Sequence, residues 1–349
     1  LTGVLGADAS WGRLLAGVAG SLSEGDGTFD APGGDMGQSG GIERPMTTVS
    51  PYARLTLTER VSAWGLAGLG TGDMAIRFDD GAIDPIRTDL SMQLGAVGAR
   101  GALLTQDASG GMDLALKADA FFVRMDSEKA VNSVATTADA SRVRLVLEGG
   151  QRFALSETAT LRPSLELGVR LDGADAETGT GVEIGGGVAW SDTASGLSIE
   201  AKARMLIAHA DSDYEEWGAS ATARLDPGEH GRGLAFSLSP TIGATSSAAE
   251  RLWGAHDART LAPDGTTFEP ARGVQAEAGY GMALPGGFTG MPNLGYGMSA
   301  GAHDWRIGWR VTPDPGGAGF EVNLDAVRRE AANENDAEHG VMLRSLIRW

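Results

Sequence analysis

Apolar and polar side chains alternate with period two along much of the chain. This is the spacing at which successive residues of an extended strand point to opposite faces. In the clearest run, Leu161, Pro163, Leu165, Leu167, Val169 and Leu171 share one face, and Arg162, Ser164, Glu166, Gly168 and Arg170 share the other. Similar rows recur at Leu14-Ala16-Val18-Leu22, Val49-Ala53-Leu55-Leu57, Leu90-Met92-Leu94-Ala96, Leu114 to Phe122 and Val143-Leu145-Leu147. Another row sets Leu197, Ile199, Ala201 and Ala203 against Ser198, Glu200, Lys202 and Arg204. In the final stretch Val341, Leu343, Ile347 and Trp349 share one parity and Met342, Arg344 and Arg348 the other, so the last predicted strand ends on an aromatic ring.

This spacing predicts about sixteen strands of roughly 10 to 13 residues, an even number, joined by alternating short and long connections. The short ones fall at Glu59-Arg60, Asp192 to Gly196, Pro227-Gly228 and Pro285 to Gly287. The long ones span 24–46, 72–87, 126–140, 245–271 and 329–338. Short turns on one side and long loops on the other are the signature of a transmembrane barrel, and sandwich strands are about half this length. The predicted fold is therefore all-β: a closed antiparallel transmembrane β-barrel of about sixteen strands, with 12–14 as the alternative count. It covers residues 11–349, after a linker over 1–10 from an upstream passenger or signal region. Trp11 to Ser23 is the predicted first strand, closing against the last, and Pro240 and Pro292 are expected to mark bulges or strand ends.

Composition narrows the classes. No run of about 18 apolar residues exists, so no segment can cross a bilayer as a helix, whereas barrel strands average to neutral hydropathy. Cysteine is absent, which excludes disulfides, zinc–cysteine sites and thiol chemistry. The net charge of -18 disfavours nucleic acid and anionic inner-leaflet surfaces as partners. The first residue is Leu1 and no signal-like segment follows it, which leads us to expect a removed upstream segment.

The second face carries too many charges for a packed protein core. Arg162, Glu166, Arg170, Glu200, Lys202, Arg204, Arg306 and Arg310 are expected to face a hydrated lumen. Val341, Leu343, Ile347 and Trp349 form the expected assembly signal, an extended segment with an apolar face and an interfacial aromatic end. No catalytic, cofactor or metal site is predicted. His209 lies near Asp211 and Asp213, and His256-Asp257 and His303-Asp304 are adjacent pairs, but neighbours on a strand point to opposite faces and no nucleophile elbow accompanies them. Gly68-Leu69-Gly70-Thr71-Gly72 follows a strand without opening a helix, so close wall packing is expected there rather than a phosphate cradle. Asp73, Asp79, Asp80 and Asp84 read as a solvated acidic loop without calcium-loop spacing.

Several segments in order, among them Gly17-Val18-Ala19, Pro51-Tyr52-Ala53, Trp64 to Gly68, Arg142 to Leu145, Ser164 to Gly168, Asp175 to Gly179, Glu216 to Ser220, Gly231 to Leu234, Arg251 to Trp253 and Arg344 to Trp349, resemble the C-terminal translocator barrel of bacterial autotransporter-domain proteins (type V secretion). The resemblance covers nearly the whole chain. It implies a bacterial outer-membrane barrel that anchors an N-terminal passenger and helps translocate or display it. The implied partners are outer-membrane lipid and lipopolysaccharide, the barrel-assembly machinery and the passenger in cis, with no cofactor and no enzymatic activity. Family barrels have about twelve strands, fewer than predicted here. The self-cleaving subfamily uses an asparagine near the linker, whereas the first asparagine here is Asn132. The alternatives are a general diffusion porin with a charged lumen and, less favoured, a barrel hydrolase.

Overall fold

The computed structural model describes residues 2–348 except 32–37, 79–84, 107–110, 130–133, 176–177, 212–213, 244–271, 300–301, 315–318 and 332–336. Among the described residues, a single 3-10 turn at Glu229–Gly231 accompanies eighteen strands. They are β1 (Thr2–Trp11), β2 (Leu14–Ala31), β3 (Gln38–Thr58), β4 (Val61–Phe78), β5 (Ile86–Leu104), β6 (Met112–Ser127), β7 (Thr136–Gln151), β8 (Phe153–Ala154) and β9 (Ala159–Ala174). There follow β10 (Gly179–Asp192), β11 (Leu197–His209), β12 (Trp217–Leu225), β13 (Gly233–Gly243), β14 (Arg272–Leu284), β15 (Phe288–Ser299), β16 (Ala302–Pro313), β17 (Gly319–Ala331) and β18 (Glu338–Arg348). All belong to one sheet.

By packing, the chain divides into two units. The first comprises residues 1–101, 117–145 and 170–180; the second comprises 102–116, 146–169 and 181–349. In the first unit, β1 to β5 pair antiparallel in chain order, and β2 to β5 are 18 to 21 residues long. In the second unit, β10 to β18 pair antiparallel in chain order with lengths of 9 to 14 residues. Tight turns fix these registers. Trp11 pairs with Leu14 across Gly12-Arg13, and Gly12 takes φ +59, which a two-residue hairpin requires and a Cβ disfavours.

Four prolines leave a readable mark on the ladder. Pairing of β12 with β13 breaks between Ser220↔Thr241 and Ala223↔Leu238, at Pro240, while Pro240 keeps its register with Val274 on the other side. Pairing of β14 with β15 breaks between Gly279↔Asn293 and Met282↔Gly290, at Pro292, which keeps its register with Trp309. The β3–β4 ladder breaks in the same way at Pro45 and Pro51. Each proline lacks one N–H donor, so it interrupts the ladder with one neighbour; at Pro240 and Pro292 this happens mid-strand, with no change of register.

Three sequence expectations are corrected. Among the described residues the strand number is eighteen: the sixteen expected strands are joined by β1 and the two-residue β8. Residues assigned to a linker form β1, which pairs with β2 from Thr2↔Ser23 to Trp11↔Leu14; its many Gly and Ala residues gave no apolar alternation to read. Four of the long connections, 24–46, 72–87, 126–140 and 329–338, are shorter than predicted, and the fifth, 245–271, lies outside the described residues. β2 and β3 continue pairing through Ala31↔Gln38, and β4 and β5 through Ile76↔Ile86, because backbone pairing needs no apolar side chains. The row Leu90-Met92-Leu94-Ala96 lies on the less exposed face, with Leu90 and Ala96 buried and Asp89, Ser91 and Gln93 exposed. Gly70 and Gly68 lie opposite Met92 and Leu94, and a Cβ on either glycine would stand within 3.3 Å of those side chains. The glycine run thus packs the wall closely, as expected, and makes room for bulky neighbours.

Candidate functional site

The two faces of the strands are inverted relative to a water-soluble protein. On β9, Leu165 and Leu167 are 61% and 53% exposed, whereas Arg170 and Asp172 are 2% and 4% exposed. Among the described residues, the buried apolar side chains are Leu90, Ala96, Ala115 and Val146. The buried polar ones include Arg144, Arg170, Asp172, Glu183, Arg204, Thr289, Asn293, Asn323 and Asp325. Large apolar groups such as Val97, Val143, Leu171, Ile207, Leu234, Ile307 and Leu324 lie on the exposed face. In water this arrangement would lose the hydrophobic contribution that holds a domain together, since apolar area left in solvent stabilises nothing.

In the first unit the buried charges meet around Asp172. The Arg170 Nε lies 2.8 Å from Asp172 Oδ2, and the Arg142 Nε donates to Asp172 Oδ1. Towards the long connections, Arg124 Nε stands 3.2 Å from Asp126 Oδ1, and the Thr137 hydroxyl donates to the same carboxylate at 2.6 Å. A pair of charges removed from water needs this mutual satisfaction, because either one alone would be left uncompensated.

The second unit holds three further groups. Arg162 donates to Asp113 Oδ2 at 2.7 Å and reaches Glu148 at 3.5 Å, and a Cβ on Gly150 would lie 2.7 Å from both Arg162 Nη2 and Asp113 Oδ1. Arg204 bridges Glu183 at 3.6 Å and Glu216, and the Tyr214 hydroxyl donates to Glu216 at 2.9 Å. Around Gly308, Asn293 and Asp325 occupy the registers on either side, and Asn323 Nδ2 donates to Asp325 Oδ2 at 2.6 Å.

The expected lumen residues therefore fall into different environments. Arg162, Arg170 and Arg204 are each ion-paired, and Glu166 is half-buried. Glu200 and Lys202 pair with each other at 2.7 Å but stay exposed. Arg306 and Arg310 are half-buried on the same face of β16 as Gly308. The partners Asp172, Glu183 and Glu216 went unremarked in the sequence because Asp172 and Glu216 stand at strand ends that read as loop, and Glu183 lies beside small residues in a weak alternation. Of the expected assembly signal, Val341 is exposed on β18, Leu343 and Ile347 pair with Leu324 and Phe320, and Trp349 lies outside the described residues.

Among the described residues, the histidines do not assemble with a nucleophile. His209 Nδ1 accepts from the backbone N–H of Asp211 at 3.1 Å and its ring tilts against Tyr214. His303 Nε2 lies 2.9 Å from Glu330. His256, Asp79, Asp80, Asp84 and Asp213 lie outside the described residues, and Asp73 is exposed opposite Asp89. What the buried face offers chemically is fixed rows of guanidinium and carboxylate, suited to orienting or sorting charged groups.

No family model matches the chain, and no curated protein matches it. Among solved structures it is similar to BauA, the ferric preacinetobactin receptor of Acinetobacter baumannii, with a TM-score of 0.46 and 11% identity over 97% of this chain and 63% of that one. It is also similar to the copper transporter OprC, with a TM-score of 0.45 and 9% identity over 99% of this chain and 70% of that one. The siderophore receptor PirA of Pseudomonas aeruginosa gives a TM-score of 0.42 and 8% identity, covering 99% of this chain and 73% of that one. The chain thus spans less than two thirds of the length of BauA. At this similarity these are likenesses of fold and say nothing about what the chain binds.

Proposed function

We propose that the chain is a bacterial outer-membrane β-barrel that anchors an N-terminal passenger and helps translocate or display it at the cell surface. The observation that carries the membrane reading is the inversion of faces: exposed Leu165, Leu167 and Ile307 against buried Arg170, Asp172 and Arg204. Hydrocarbon gives the exposed face a solvent, and a polar interior gives the charged face its own. Closure of the sheet belongs to the same proposal, since an open edge in lipid would leave a row of backbone groups unpaired. The passenger reading is supported by the sequence resemblance to autotransporter translocators, and the ion-paired rows supply a polar lining along which an extended segment can pass. On this proposal the chain is an anchor and a conduit and not an enzyme. Lipid, lipopolysaccharide, the assembly machinery and the passenger are its partners.

The test is a fusion of a secretion signal and a reporter epitope upstream of Leu1, expressed in a bacterial host. The expected result is an epitope accessible to antibody and protease on intact cells, in barrels of heat-modifiable mobility. A fully assembled barrel whose epitope stays in the periplasm, and which conducts ions in planar bilayers, would overturn the anchoring role in favour of a diffusion pore.

A further inference from the structure

We propose that the tips of the β1–β2 and β3–β4 hairpins bind one phospholipid headgroup carrying both a phosphate and a primary ammonium. The inference rests on the outer-membrane reading and names a lipid partner for one end of the first unit. A shallow, open hollow of ≈ 380 Å³ lies there, lined by Arg13, Thr58, Glu59 and Arg60. An Arg13 Nη1 donates to the Leu57 carbonyl at 3.2 Å, which ties one hairpin's guanidinium to the other hairpin. The Thr58 hydroxyl oxygen accepts from the backbone N–H groups of Arg60 at 3.2 Å and Val61 at 3.0 Å, which holds the turn that presents Glu59 and Arg60. Two guanidinium groups beside one carboxylate match a phosphodiester and an ammonium on the same small headgroup. A purely anionic headgroup leaves Glu59 without a partner, and a quaternary ammonium has no N–H to give it.

The surroundings match the rest of the lipid. Trp11 pairs with Leu14, and Leu14 with Leu55, so these three share one face across β1, β2 and β3, and Leu57 continues that row on β3. All four are exposed. An apolar row ending in a tryptophan beside a ring of charges is the order met on passing from acyl chain to headgroup, where an indole ring is most comfortable.

The experiment uses the purified full chain and native mass spectrometry with ethanolamine, glycerol and choline phospholipids of identical acyl chains at equal concentration. The ethanolamine lipid should be retained about tenfold better than the choline lipid, the scale of one charge-assisted hydrogen bond. The Arg13→Gln/Arg60→Gln double variant should lose that retention, and Glu59→Gln should erase the preference for ethanolamine over glycerol. All variants should keep heat-modifiable mobility. Equal retention of the three lipids, or unchanged retention in the double variant, would overturn the site while leaving the barrel reading intact. Failure of the unmodified chain to enter vesicles of any composition would instead sink the membrane reading on which the site depends.

Discussion

The strands of the first unit and those of the second solve the same problem at different lengths. β3 has 21 residues and β12 has 9. At roughly 3.3 Å per residue these are about 70 Å and about 30 Å of strand, whereas about 9 to 11 tilted residues suffice to cross a bilayer. In the short strands the exposed face is apolar almost from end to end, as with Leu294 and Met298 on β15 and Trp305, Ile307 and Trp309 on β16. In the long strands it changes character part-way. Near the short turns it carries Leu14, Leu55, Leu57 and Val97, and Val49, Leu69 and Leu22 continue the apolar stretch outward; farthest out it carries Asp73, Arg87 and Asp89. The apolar stretch therefore keeps a similar extent although strand length doubles. On the proposed membrane reading lipid sets that extent, and backbone pairing holds the rest of each long hairpin.

Five substitutions break or sharpen this contrast, taken from the largest expected effect to the smallest. Arg170→Ala in the first unit removes the partner of a buried carboxylate and should cost about 3 to 5 kcal/mol, read by urea unfolding in detergent or lipid. That departs from a simple hydrated-lumen picture, in which Arg170 would tolerate even charge reversal. Ile307→Arg in the second unit, at an exposed apolar position, should cost about 2 to 4 kcal/mol, whereas Asp89→Arg on the outer part of β5 should stay within about 0.5 kcal/mol. Equal effects at these two positions would erase the distinction between lipid-facing and water-facing stretches. Gly98→Val should cost about 1 to 3 kcal/mol, because a Cβ there would stand 2.5 Å from the Trp64 ring that lies across it. Lys202→Gln breaks only an exposed pair and should change stability by less than about 1 kcal/mol.

The sequence made β9 legible residue by residue, because six apolar positions alternate with polar ones and both faces are marked. It made β1 illegible, because Gly3, Gly6, Ala7 and Ala9 mark neither face. On β5 the alternation was visible but its sense was not: which parity turns inward depends on Gly68 and Gly70 of the neighbouring strand, a relation that only the register supplies. The extensions of β2 and β3 read as loop because Gly, Asp and Pro are poor strand formers, while the pairing that holds them there is main-chain. At the charged site, parity alone set Arg162, Arg170 and Arg204 opposite the apolar rows of their strands. Their carboxylate partners were harder, since they sit on other strands or at strand ends where periodicity fades.

The central claim is that the exposed apolar face meets lipid, and the chain contains no cysteine, so a single introduced thiol carries a spin label at one chosen place. Labels at Leu167, Ile307, Asp89 and Glu59 in reconstituted vesicles can be compared for relaxation by oxygen, which concentrates in hydrocarbon, and by a water-soluble nickel chelate. The account predicts that Leu167 and Ile307 respond to oxygen and are shielded from the chelate, while Asp89 and Glu59 respond to the chelate. Chelate accessibility at Leu167 and Ile307 equal to that at Asp89 would contradict it.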